Sequence, residues 1–451
     1  MRRWLVGVSM SVVLSVSAAG CQEENPFDFG GPRDCSIPEQ NAFMYTLMQE
    51  AYLWNEFVPS DVDPAAYESP SDLVGDVRYA ELDRWSRVSD LVTSDALFNE
   101  GMVVGMGFRT RRDAAEAVVL GFVDPLSPAG QAGLQRGDVL VGVGDRTAEQ
   151  LDADDAWGEA FGESEPGITV DLQVRSAGGQ PRTVSVTKDW YPLVTVPYAE
   201  VLQRGDTAVG YVFFTTFVEP SIDELTMAFT DFAEAGVREV IVDFRYNGGG
   251  RLSAARHLMN LLVGGQNDGR VAYRTEYAPQ LSSEDRDRDL SRQSASLEAL
   301  DHVVFINTGS TASASELVIN AVRPYTNVSV VGSRSAGKPV GSAQWTFCDK
   351  AAHPITFRLL NAEREGDYFE GIDVDCEAGD GLSAPLGDPT EEAIAAALAL
   401  LSGEACPAPL ANEDADDGDG DEAQAGSRGL RARPSELPGA YPGLDELRSR
   451  Y

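Results

Sequence analysis

Apolar residues change their spacing several times along this chain, and each change marks a different kind of element. After a Glu-, Pro- and Gly-rich stretch at 22–34, Met44, Leu47, Met48 and Ala51 recur at helical spacing, so a small helical region is expected to follow. From about Gly101 the pattern shortens to strand-like runs at 117–123, 139–143, 168–174 and 183–187, with a helix-like segment around Trp157. From about Val196 to Leu401 strands and helices alternate. Strands are expected at 209–214, 239–244, 303–307 and 328–332, and helices at 222–233, 252–262 and 313–322. Such alternation predicts a largely parallel sheet covered by helices. The stretch 275–298, rich in Ser, Asp and Arg, reads as a surface excursion.

The ends of the chain follow other rules. Arg2 and Arg3 precede an apolar run from Trp4 to Val16, the small residues Ser17, Ala18, Ala19 and Gly20, and then Cys21. The run is too short to cross a bilayer as a helix and reads as an export signal over 1–20. Ala-Ala-Gly-Cys resembles a lipobox, although the usual Leu is Ala18 here. Two outcomes fit: lipidation of Cys21, the preferred reading, or ordinary cleavage after Ala18 or Gly20. With Gln22 next, the resemblance favours an outer-membrane lipoprotein facing the periplasm, held through a tether at 21–34. Beyond Cys406 the residues 406–451 read as a disordered acidic tail. A calcium loop from Asp417 fails on spacing, because Glu422 and Arg428 stand where Gly and a bidentate acid are required.

Charge and cysteine content narrow the class. Asp and Glu number 72 against 35 Lys and Arg, a formal charge of -37, which disfavours nucleic acid and charge-driven contact with anionic lipid. Contact with a membrane is therefore expected only through a lipid anchor. Of five cysteines, Cys35, Cys348, Cys376 and Cys406 remain as an even set once Cys21 is set aside, and export makes disulfides expected. Cys348 with Cys376 and Cys35 with Cys406 are the expected pairs, since the first two flank a strand-loop-strand segment and the others bracket the folded region. With no Cys-x-x-Cys, and with His257, His302 and His353 at no ligand spacing, neither metal nor cofactor is expected.

Two motifs carry binding chemistry. Gly105-Met106-Gly107-Phe108 is followed by Ser127-Pro128-Ala129-Gly130-Gln131-Ala132-Gly133-Leu134-Gln135-Arg136-Gly137-Asp138-Val139-Leu140. Together they resemble a PDZ domain, which would span 96–192. The resemblance implies that backbone N–H groups at Met106, Gly107 and Phe108 hold a peptide's terminal carboxylate while the peptide adds as an edge strand.

An activated hydroxyl needs a base and an anion-stabilising pocket. No Gly-x-Ser-x-Gly elbow exists, but Thr308 to Glu316 joins a strand end to a helix start, with small residues around Ser313. A right-handed strand-helix-strand unit brings the loops at both carboxyl ends of its strands together, so Ser313 can meet Lys338. The loop Arg245-Tyr246-Asn247-Gly248-Gly249-Gly250 lies on the same sheet edge and offers N–H groups for an oxyanion hole. Taken singly, Ser313 and Ser315 also suit a helix start, Glu316 a capping box, and Lys338 a solvated loop.

Thr-Ala-Ser-Ala-Ser-Glu with the downstream lysine, preceded by Asp-Phe-Arg-Tyr-Asn-Gly-Gly-Gly and a PDZ-like segment, resembles the C-terminal processing peptidases, also called tail-specific proteases, over roughly 95–400. The resemblance implies an α/β multidomain protein. A crotonase-like αβ protease core at 193–405 would carry an inserted, mostly β PDZ domain and a small N-terminal helical region at 35–95. It also implies a serine endopeptidase with Ser313 as nucleophile, Lys338 as base, Glu316 as the residue that positions the lysine, and Ala314 and Gly249 as oxyanion donors. Spacing alone leaves Gly248 open as the donor in place of Gly249. The expected partners are exported protein or peptide substrates with free C-termini. The usual Gln four residues after the lysine is Ser342, with Gln344 nearby, and the usual Phe before Gly-Lys is Ala336. Ser335-x-x-Lys338 lacks the Ser-Asp-Asn and Lys-Thr-Gly of penicillin-recognising enzymes. An acyl-CoA enzyme on the same core is disfavoured by export. A catalytically weak, PDZ-bearing peptide-binding scaffold is the alternative.

Overall fold

The computed structural model describes residues 29–113, 115–382 and 384–407. The expected export signal, Cys21, most of the expected tether and the tail from residue 408 lie outside the described residues.

The N-terminal unit begins with α1 (Ile37–Glu50), which has Pro at its start and buries Phe43, Met44, Leu47 and Met48. Next comes α2 (Pro70–Val77), capped by the Ser69 hydroxyl, which accepts from Asp72 N–H at 3.2 Å. Its apolar face meets Val340, Trp345, Phe347, Ala352 and Ile355, so this unit completes its core with residues far along the chain. Strand β1 (Arg87–Asp90) pairs antiparallel with residues 350–353.

The small β domain opens with β2 (Met102–Gly105), β3 (Phe108–Arg112), β4 (Val118–Val123) and β5 (Val139–Val143). It continues through α3 (Ala148–Ala153), α4 (Trp157–Phe161), β6 (Thr169–Arg175), β7 (Arg182–Thr187) and β8 (Asp189–Pro192). The sheet order β3-β4-β5-β6-β7 leaves β3 at an edge, while β2 pairs with β8 where the chain enters and leaves the domain. Alternate residues Val170, Leu172 and Val174 turn inward onto Trp157 and Phe161.

The larger unit is built on strands β9 (Tyr198–Arg204), β10 (Thr207–Phe213) and β11 (Glu239–Asp243), with α5 (Ser221–Glu234) between the last two and α6 (Leu252–Asn267) after them. Then follow β12 (Val271–Tyr277), β13 (Arg286–Asp289), β14 (His302–Asn307), α7 (Ala314–Val322) and β15 (Asn327–Gly332). Four short strands come next: β16 (Val340–Ser342), β17 (Trp345–Phe347), β18 (Lys350–His353) and β19 (Ile355–Leu360). Strand β20 (Cys376–Glu377) and α8 (Glu392–Leu401) close the unit. Strands β10, β11, β14, β15 and β20 run parallel in that order, with β9 antiparallel at one edge. Period-two alternation sends Val212, Val240, Val242, Val303, Phe305 and Val330 to the face covered by α5, α6 and α7. Tyr211, Phe213, Ile241, Val304, Ile306 and Val331 go to the face covered by α8 and by Phe122 of the small domain. Both faces are buried, as a parallel sheet requires.

The stretch 275–298 is not a plain surface excursion. Its first residues end β12, and β13 pairs with β12 as the charged edge of a second sheet in the order β13-β12-β19-β16, with Arg274 and Asp287 bridged across the pair. A strand that puts charge on a solvent edge shows little apolar alternation, which is why the sequence hid it.

The disulfides also differ from expectation: Cys35 pairs with Cys348 and Cys376 with Cys406, at Cα separations of 5.8 and 5.5 Å. Packing of α1 on the β17–β18 hairpin, marked by Phe43 and Phe347 at 5.2 Å, puts Cys35 beside the hairpin turn that holds Cys348. Helix α8 crosses back over the parallel sheet and returns Cys406 to the strand that begins with Cys376.

Candidate active site

Strand β14 ends at Asn307, and the loop 308–312 lifts the chain to Ser313, the residue just before α7. Ser313 has φ +56° and ψ −114°, a conformation an L side chain adopts only when its surroundings impose it. Those surroundings are visible. Thr311 Oγ1 donates to Phe244 O at 2.9 Å, Thr308 Oγ1 donates to Arg245 O, and Ala312 N–H and Ser315 Oγ both donate to Asn247 O at 3.1 Å. The serine turn is thus fastened to the loop after β11.

Glu316, in the first turn of α7 and fully buried, connects that turn to the loop after β15. Its Oε2 accepts from Ser313 N–H and from Lys338 N–H, each at 2.8 Å. Its Oε1 accepts from Ser335 Oγ at 2.5 Å and Gly337 N–H at 2.6 Å. Burial pushes the Glu316 carboxyl up, against these four hydrogen bonds, which favour the carboxylate. One side chain therefore caps the helix and joins the Ser313 turn to the Lys338 loop. It grips the backbone of Lys338 rather than the amine. Gly337 has φ +83°, and a Cβ there would lie 2.2 Å from Phe369 O, so only glycine fits before the lysine.

Lys338 is fully buried. Desolvation holds its amine well below the ordinary lysine range, the nearby Arg87 charge adds to this, and Asp83 and Glu316 oppose it. The neutral base form is favoured as a result. Ser335 is no rival nucleophile, since its hydroxyl both donates to Glu316 and accepts from Ile372 N–H at 2.7 Å. His257 is bonded to Thr226 at 2.8 Å and His302 to Ser329 at 2.9 Å, both away from this turn.

Gly249 lies against Ser313. A Cβ there would sit 2.9 Å from Ser313 Cβ and 3.0 Å from Ala314 N. Its own N–H donates to Asn247 Oδ1 at 2.9 Å, so in this arrangement that amide is engaged. The loop is anchored by the fully buried Arg245, which meets Asp243, Asp380 and Glu391 at 2.8, 2.6 and 2.9 Å. Although burial alone would raise it, the guanidinium groups of Arg245, Arg136 and Arg111 hold Asp380 far below the usual carboxylate range. Three arginines of the small domain reach the same place: Arg109 donates to Tyr246 O at 2.7 Å, Arg136 to Tyr246 Oη at 3.0 Å and Arg111 to Asp380 O at 2.6 Å.

Ser313, Ala314, Glu316, Lys338 and Gly249 are therefore brought together. Met106, Gly107 and Phe108 lie in the small domain, where Met106 O and Gly107 O accept from Ala129 and Asp124 N–H at 2.8 and 2.9 Å. The sequence reading missed Asn247, which orders the glycine loop, and Asp83, Trp85 and Arg87, which surround Lys338. For Asn247 the signal was its place before three glycines. For the N-terminal residues none was available, because nothing in the segment Asp83-Arg84-Trp85-Ser86-Arg87 names its partner across the chain.

Family models agree with this layout. The peptidase S41 N-terminal domain matches residues 39–87 and peptidase family S41 matches 208–378. The chain is 27% identical over 272 residues to the carboxy-terminal processing protease CtpA of Bacillus subtilis (strain 168), covering 59% of this chain and 54% of that protein. It spans about half the length of the curated relatives it matches. A crystal structure of an S41 protease candidate from Bacteroides fragilis superposes with a TM-score of 0.64 at 23% identity, over 80% of this chain and 97% of that one, which speaks for the fold. The fold is thus that of an α/β protein with peptidase S41 domains. Within that class, the similarity to CtpA points to the C-terminal processing peptidases.

Proposed function

We propose that this protein is a serine endopeptidase that works through a Ser313–Lys338 dyad. The observation that carries the reading is the shared Glu316 oxygen, which holds the Ser313 and Lys338 backbones together while the lysine amine is buried and favoured in its base form. In the proposed reaction Ser313 Oγ adds to a peptide carbonyl as its proton passes to Lys338 Nζ. The ammonium then gives that proton to the departing amine. The neutral lysine next takes a proton from the water that adds to the acyl-enzyme, and returns it to Ser313 Oγ as the ester bond breaks and the acid product leaves. Ala314 N–H at the start of α7 and a glycine N–H of the 248–249 loop stabilise the oxyanion, which requires Gly249 N–H to exchange Asn247 Oδ1 for the substrate oxygen if Gly249 is the donor. In the same reading the core at 193–405 is crotonase-like and residues 96–192 form a PDZ domain. The edge of β3 and the amides at 106–108 would take the free C-terminal tail of an exported substrate, and a lipid on Cys21 would keep the enzyme at the envelope.

Engagement of Gly249 N–H by Asn247 favours a second reading, a peptide-binding scaffold of low activity. Labelling with a fluorophosphonate and cleavage of peptides with free C-termini separate the two. The wild type should label and cleave, and Ser313→Ala and Lys338→Ala should each lose several orders of magnitude in turnover. A folded Lys338→Ala variant with near-normal cleavage would refute the dyad.

A further inference from the structure

The amine of Lys338 is covered by a part of the chain remote from the loop that carries it. Its Nζ lies 5.5 Å from the centroid of the Trp85 ring, and Trp85 belongs to the N-terminal unit. The indole is itself held firmly. Trp85 N–H and Ser86 N–H donate to Asp83 Oδ1 at 2.8 and 2.9 Å, and Tyr52 Oη donates to Asp83 Oδ2 at 2.8 Å. Ser86 Oγ accepts from Ile355 N–H at 2.9 Å, and Arg87 opens β1 opposite His353. Arg84 reaches back to the catalytic loop, donating to Ala336 O at 2.6 Å while its guanidinium stands 4.8 Å from the Trp85 centroid. The Cys35–Cys348 disulfide ties the start of this unit to the β17–β18 turn.

We propose that Trp85 and Arg87 are positioning residues for the base, so that the dyad is complete only while the segment 83–87 is docked over Lys338. The inference rests on the dyad reading above. A flat ring over the amine excludes the water that an ammonium needs, which favours the base form. The ring quadrupole works in the other direction, but it is shared with the Arg84 guanidinium. Desolvation is the largest influence on Lys338, so exclusion of water wins. The charged groups facing the amine are Asp83, Arg84 and Arg87 from this segment and Glu316 from α7. Arg84 and Arg87 act with the ring, and Asp83 and Glu316 against it.

The test is the pH dependence of the rate at which a fluorophosphonate labels Ser313 in the full chain. In the wild type the rate should rise through one midpoint. Trp85→Ala admits water and Arg87→Gln removes a like charge, so each should move that midpoint upward by about one pH unit, whereas Trp85→Phe should leave it near wild type. Asp83→Asn keeps an acceptor for the two amides but removes a stabilising anion, and should move the midpoint downward. A purely structural role for Trp85 would lower the plateau without moving the midpoint. If Trp85→Ala does not fold, the opposed shifts of Arg87→Gln and Asp83→Asn carry the test. Midpoints that coincide with a labelled wild type overturn this inference alone; a wild type that labels at no pH overturns the dyad and this inference with it.

Discussion

Replacing Glu316 by Gln removes one charge and almost no volume, which makes it the sharpest probe of the site. The carboxylate accepts four hydrogen bonds and donates none. Glutamine offers one oxygen and one NH2 group, so two of the four donors must face a donor. The least costly orientation keeps the oxygen on Ser313 and Lys338 N–H and turns the NH2 toward Ser335 Oγ and Gly337 N. The Ser335 hydroxyl can reorient to accept, but Gly337 N–H is left buried and unbonded, at about 1–3 kcal/mol. The two retained bonds fall from charge-assisted to neutral strength, which adds about 1 kcal/mol each, and burying an amide instead of a carboxylate offsets part of the total. A net loss of roughly 2–4 kcal/mol is expected, read as a lower melting temperature in thermal unfolding. Activity should fall further than stability: once the serine turn and lysine loop can slide apart by about 1 Å, labelling should drop on the order of 100-fold. If the charge of Glu316 mattered only through Lys338, Glu316→Gln would instead shift the pH profile downward at full amplitude. A variant with wild-type melting and labelling would refute the view that Glu316 ties the two loops.

Two further substitutions probe the strain and the buried amine. Because Ser313 holds φ +56°, Ser313→Gly should be more stable than Ser313→Ala by about 1 kcal/mol in thermal unfolding, the reverse of the usual order; an alanine variant of equal or greater stability would remove the strain argument. Lys338→Met should be more stable than the wild type at neutral pH. The folded lysine is held well below its unfolded value near 10.4, so the unfolded chain binds the extra proton and wild-type stability rises with pH up to that value. The advantage of the variant should therefore shrink between neutral pH and about pH 10, and a gap that stays constant would contradict a depressed lysine.

The part of the site built within one strand-helix-strand unit was legible in the sequence. Strand β14 shows a continuous apolar run and β15 one broken by Ser329, α7 shows a helical face, and the right-handed crossover forces the loops holding Ser313 and Lys338 to one edge. The glycine loop after β11 followed from the same rule, because β11 lies next to β14 in the sheet. What failed was everything fixed by long-range packing. Cys35 and Cys348 meet because α1 lies on the β17–β18 hairpin, and neither cysteine's place in the sequence encodes that contact. Strand β1 is four residues long, mostly polar, and pairs with a strand near the other end of the chain. Periodicity has no purchase on so short an element.

The division between what was legible and what was not has a chemical meaning. The Ser313 turn, the helix after it and the Glu316 tie come from contiguous local geometry that the parallel sheet imposes. The groups that surround the Lys338 amine include Asp83, Arg84, Trp85 and Arg87 of a second unit, placed only after β1 has paired with β18 and the N-terminal unit has closed its core on Trp345 and Phe347. A serine–lysine pair needs no exact match of charges to form, but it needs a dry amine to act, and drying an amine takes more surface than its own loop supplies. A chain with the core alone would keep the Ser313 turn and the Glu316 tie while exposing Lys338 Nζ to water, where the ammonium form prevails at neutral pH. In the proposed dyad the loop supplies the base and the N-terminal unit supplies its dryness.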